Sequence, residues 1–82
     1  MYTYPIDYEE FTQDEIITLV EFLSMIENIN EGLKVDQKKL AKKYQQYRNI
    51  INSVSIEKQI EREFKSLSGY SIYQTIKQNN PE

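Results

Sequence analysis

The sequence predicts an all-α fold: a small bundle of three main helices plus a short C-terminal helix, with an extended N-terminal strap. Three observations predict it. Only two Gly and two Pro occur among 82 residues, too few for the tight turns that an all-β chain consumes. Apolar residues recur at spacings of three and four from position 16 to position 76. Residues that cap helices stand at the ends of each periodic run. Hydrophobic residues make up 39% of the chain, enough for one core, and no linker or internal repeat divides it, so residues 1–82 read as a single helical domain.

Tyr2, Tyr4, Ile6 and Tyr8 alternate with Thr3, Pro5 and Asp7, the period of an extended segment. No second strand-like run is present to pair with it, and Pro5 has no amide proton to donate, so residues 1–11 are expected to form a strap across the helices. Thr12-Gln13-Asp14-Glu15 fits a capping box, and the first helix is expected over 12–30. Its apolar members, among them Ile16, Ile17, Leu19, Val20, Phe22, Leu23, Met25, Ile26 and Ile29, cover more than half of its circumference. A narrow polar stripe remains around Glu21, Ser24 and Asn28, and Gly32 stands where the helix should close.

Asp36 is the expected N-cap of a second helix over 36–52, with Leu40, Tyr44, Tyr47 and Ile51 in one stripe. A third helix over 55–68, capped by Ser53 or Ser55, carries Ile56, Ile60, Phe64 and Leu67. Glu61 and Lys65 on it form a favourable pair four residues apart, and Gly69 ends it. Ser71 can cap a short fourth helix over 71–78 that presents Ile72, Tyr73 and Ile76, leaving 79–82 as a frayed tail.

The formal charge of −3 hides a segregation. Residues 1–31 hold eight carboxylates and no Lys or Arg, whereas residues 32–48 hold Lys34, Lys38, Lys39, Lys42, Lys43 and Arg48 against Asp36 alone. One reading makes Lys38, Lys39, Lys42 and Lys43 a basic face for an acidic partner or nucleic acid. The other, favoured because the chain as a whole is acidic, has the second helix lying beside the acidic first third and attracting it within one molecule.

The chemistry open to the chain is narrow. It has no Cys and no His, which removes disulfides, thiolate nucleophiles, imidazole bases and the usual zinc ligand sets. It has no phosphate loop, no dinucleotide-binding glycine fingerprint and no serine elbow. Glu57 and Glu61 share a helix face, but two carboxylates fall short of a cation's ligand set, and a surface pair is the plainer reading. We therefore expect no enzyme, no catalytic residue, no cofactor, no metal and no identifiable small-molecule substrate. No apolar run is long enough to span a membrane and the first residues do not resemble a secretory leader, so a cytoplasmic location is expected.

Seven tyrosines are the other compositional feature. Tyr44 and Tyr47 fall on a core stripe. Tyr2, Tyr4, Tyr8, Tyr70 and Tyr73 gather at the two chain ends, where they either pack together on the bundle or form a contact surface, with Tyr2, Tyr4, Tyr70 and Tyr73 as its candidates.

Tyr4-Pro5-Ile6-Asp7, Glu15-Ile16-Ile17, Glu57-Lys58, Arg62-Glu63-Phe64 and above all Ser68-Gly69-Tyr70-Ser71-Ile72-Tyr73 carry a resemblance over nearly the whole chain. The sequence resembles the YktA-like uncharacterised protein family (uncharacterised protein family 0223) of Gram-positive bacteria. It departs where such proteins tend to carry a Trp before the first helix, here Phe11, and a Pro-Ser-Lys helix start, here Asn52-Ser53-Val54. The resemblance implies a small, cytoplasmic, all-helical bacterial protein and no particular activity. The functional expectation is thus a non-enzymatic interaction protein, self-associating or binding a protein partner through the apolar excess of the first helix or the terminal tyrosines. Nucleic-acid association through the lysines is the alternative.

Overall fold

Each helix begins at a side chain that satisfies its free amides. The computed structural model describes residues 4–79, and contains four helices and no strand among them: α1 (Gln13–Asn30), α2 (Gln37–Ile51), α3 (Val54–Ser68) and α4 (Ile72–Asn79). At α1 the capping box forms as expected, with the Glu15 amide donating to Thr12 Oγ1 at 3.2 Å and the Thr12 amide donating to Glu15 Oε1 at 2.9 Å. Asp36 Oδ1 accepts from the Lys38 amide at 2.8 Å, and Ser53, rather than Ser55, caps α3 by accepting from the Ile56 amide.

The helix ends are closed by backbone that leaves the right-handed region. After α1 the amides of Gly32 and Leu33 return to the carbonyls of Ile29 and Asn28, a Schellman pair that needs the positive φ of Gly32. Gly69 does the same work after α3 at φ 83°, and Asn52 after α2 at φ 47°.

The core draws on every element. Leu19, Phe22, Leu23 and Ile26 of α1 are fully buried, and meet Leu40, Tyr47 and Ile51 of α2, Ile60 and Phe64 of α3, Ile72 of α4 and Ile6 of the strap. The Phe22 ring lies 4.6 Å from that of Tyr47 and 5.8 Å from that of Tyr44, so three aromatic rings tie α1 to α2. Thr75 is buried as well, its hydroxyl donating to the Ser71 carbonyl and accepting from Asn30 Nδ2 at 2.8 Å, a polar tie between α1 and α4.

The structure corrects four sequence expectations. The strap is not extended to residue 11. Asp7 Oδ1 accepts from the Glu9 amide and its carbonyl from the Glu10 amide, forming a turn that breaks the alternation and leaves Tyr8 exposed while Ile6 is buried. Leu67 leaves the core stripe of α3 and is 47% exposed. Glu61 makes no ion pair with Lys65, because α4 claims its carboxylate. Asn79 is helical, held by its own Nδ2 donating to the Thr75 carbonyl at 2.8 Å, so the expected frayed tail does not begin there. Residues 1–3 and 80–82 lie outside the described residues.

Candidate functional site

The segregated charges meet across α1 and α2. Lys43 Nζ lies 2.9 Å from Glu21 Oε1, the intramolecular attraction that the charge layout suggested. Beside this pair a cleft of about 680 Å³ opens, lined from α1 by Val20, Glu21, Ser24 and Met25 and from α2 by Lys39, Lys42, Lys43 and Gln46. Its half-buried apolar members are Val20 and Met25, and its basic rim is Lys39 and Lys42, both exposed and in no ion pair among the described residues.

The four lysines expected to act together are divided. Lys39, Lys42 and Lys43 stand at i, i+3 and i+4 and share a face. Lys38, one turn before Lys42 and exposed, does not line the cleft.

The apolar excess of α1 is mostly consumed inside the molecule. Four of its apolar side chains are fully buried, and Ile16, Val20, Met25 and Ile29 are partly buried against the core. Ile17 is the exception, 49% exposed. At about 100° per residue it falls on the stripe of Glu21, Ser24 and Asn28, one turn before the cleft. Sequence reasoning listed Ile17 among the apolar members of this helix without separating it from the others; its spacing of four to Glu21 and seven to Ser24 was the available signal.

The terminal tyrosines do not form one surface. Tyr4 stacks on Phe64 with ring centroids 6.4 Å apart and donates to Glu27. Burial, and then the Glu27 carboxylate, push its phenol up to about 12. Tyr70 is half-buried against the core, so Tyr4 and Tyr70 pack within the chain, which is the first of the two readings. Tyr73 remains 43% exposed, and Tyr2 lies outside the described residues.

Glu57 and Glu61 turn to separate tasks. Glu57 Oε1 is 3.8 Å from Arg48 Nε, whose guanidinium lies over the Tyr44 ring at 5.7 Å. Glu61 accepts from Ser71 Oγ at 2.6 Å and from the Ile72 amide at 2.9 Å, at the N-terminus of α4. Among the described residues no group of three Asp or Glu side chains is placed to hold a metal ion, and no helix is long and apolar enough to cross a membrane.

The profile of an uncharacterised protein family, UPF0223, matches residues 1–82. The chain belongs to UPF0223. It is 41% identical over 75 residues to a UPF0223 protein of Bacillus cytotoxicus, covering 92% of this chain and 82% of that one. A UPF0223 protein of Streptococcus equi subsp. equi is 43% identical over 76 residues, with 93% and 80% covered, and one of Enterococcus faecalis is 38% identical over 78 residues, with 94% and 82% covered. No solved structure matches the chain significantly. In the Ser68–Tyr73 run, Gly69 closes α3 and Ser71 is held by Glu61.

Proposed function

We propose that this UPF0223 chain is a small, non-enzymatic cytoplasmic protein that acts by binding protein, and that its contact surface is the α1–α2 face. The observation that carries the reading is the half-exposed Ile17 standing one turn from a cleft with an apolar floor and a lysine rim. A half-exposed aliphatic side chain beside a cleft lined by Val20, Met25 and lysines offers a protein partner apolar and charged contacts together. Nucleic acid finds less support as the partner. Lys43 is engaged by Glu21, and Asp14 is exposed on the α1 stripe of this face, where it would repel a phosphate chain.

The test is a photo-crosslinking residue at Ser24, inside the cleft, with a second at Lys77 on α4 as control, in living cells. Crosslinking to protein from position 24 and not from 77, lost on Lys39→Glu with Lys42→Glu, is the expected result. Crosslinks to nucleic acid, or none from position 24, would refute it.

A further inference from the structure

We infer that the occupant of the α1–α2 face is a second copy of the same chain, with the two α1 helices antiparallel about a two-fold axis near Ile17. This rests on the interaction reading above and names its partner.

The argument starts from the order of groups along one stripe of α1. Asp14, Ile17, Glu21 and Ser24 follow one another on that stripe at about 100° per residue. The N-terminal end is acidic: Asp14 is exposed in the first turn, Glu9 and Glu10 are exposed in the turn that leads into it, and no Lys or Arg occurs before residue 32. The cleft end is basic at its rim, where Lys39 and Lys42 project without ion pairs among the described residues and Glu21 is already held by Lys43. Between the two ends stands Ile17.

A face that is acidic at one end, apolar in the middle and basic at the other is complementary to itself after a half-turn. Each copy offers its acidic end to the other's lysine rim, and both contacts are made at once, as an isologous interface requires. The spacing agrees. Asp14 and Glu21 lie about 10 Å apart along the helix axis, and Ile17 is close to the midpoint. Two antiparallel helices crossing there set Asp14 of each copy at the level of residue 21 of the other, beside Lys42, and bury the two Ile17 side chains against each other. A foreign acidic peptide would use the lysines but leave the acidic end unmatched, and nucleic acid would be repelled by that end.

A contact built from one turn of helix on each side of Ile17 belongs at the small end of the range for specific interfaces, so the dimer is concentration-dependent and weakened by salt.

The experiment is sedimentation velocity on the full chain, from micromolar to millimolar concentration in low and moderate salt, with circular dichroism to confirm that each variant folds. The wild type is expected to show reversible monomer–dimer exchange. Ile17→Glu, the pair Lys39→Glu with Lys42→Glu, and the pair Glu10→Lys with Asp14→Lys should each weaken it by about tenfold or more. Mixing the two charge-reversed pairs in equal amounts should restore the dimer, because one copy's acidic groove then meets the other's basic end while the second contact keeps its native charges. A wild type that stays monomeric throughout overturns the inference, as does a dimer indifferent to these changes or two folded variants that fail to associate on mixing. If the chain is monomeric while position 24 still crosslinks to another protein, only the choice of occupant falls. If position 24 crosslinks to nothing, the interaction reading falls with it.

Discussion

The Glu61 carboxylate of α3 is bound to Ser71 at the start of α4: the Ser71 hydroxyl donates to Oε1 at 2.6 Å, while Oε2 accepts from the Ile72 amide at 2.9 Å and the Tyr73 amide at 3.3 Å. A carboxylate ten residues away thereby satisfies amides that every helix start leaves free, and its charge complements the helix dipole there. Ser71 Oγ also accepts from the Gln74 amide at 3.2 Å, so the cap expected of Ser71 is present and Glu61 reinforces it.

Glu61→Ala is therefore expected to cost about 1–3 kcal/mol, since it strips two part-buried donors, the Ser71 hydroxyl and the Ile72 amide, of their acceptor. Lys65→Ala, which removes the partner that periodicity alone would assign, should cost about 0.5 kcal/mol or less. Urea unfolding measures both, and hydrogen exchange should locate the loss in α4. Equal costs for the two would mean that Glu61 does not hold α4.

The apolar stripe of α3 makes a second comparison. Phe64 is fully buried beneath the ring of Tyr4, and Leu67 is half-exposed one turn later. Phe64→Ala should cost about 3–5 kcal/mol through the cavity it leaves. Leu67→Ala should change stability by about 0.5 kcal/mol or less. Thermal and urea unfolding of the two variants check the pair, and a large loss at Leu67 would place it in the core after all.

Alkaline pH should unfold the protein through its tyrosines. Burial, then Glu27, raise the Tyr4 phenol from its ordinary value near 10 to about 12. Burial, then Glu57, raise that of Tyr47 as well. The folded state thus favours the neutral phenols. Their contribution is fully present below pH 10 and is lost as pH rises through the folded values. Unfolding free energy followed by urea titration from pH 8 to pH 12 should fall on the alkaline side, and Tyr47→Phe should flatten that fall. An unchanged alkaline limb in this variant would contradict the assignment.

Much of the fold was legible because it is written in neighbours. The Thr12 capping box, the Asp36 cap, the closing positions of Gly32 and Gly69, and the stripes of α2 and most of α3 depend on residues within four positions of one another. The attraction of the lysine-rich helix to the acidic first third was also visible, since the two charges are segregated along the chain. The candidate face was only half legible. Its lysines could be named, but the turn around Asp7, the exposure of Ile17 and the exclusion of Lys38 from the cleft all depend on which side of each helix the others cover.

By itself, the sequence determined that this protein is helical, where its helices start and stop, and that it belongs with the UPF0223 proteins, because caps, periodicity and family motifs are local properties of the chain. Only the tertiary structure decided that Glu61 serves α4, that Tyr4 lies on Phe64, and that Ile17 alone among the apolar residues of α1 is left half in solvent. The reason is geometric. An apolar arc wider than half a helix can be buried in several orientations, and which residue stays outside is chosen by where α2, α4 and the strap come to rest against it.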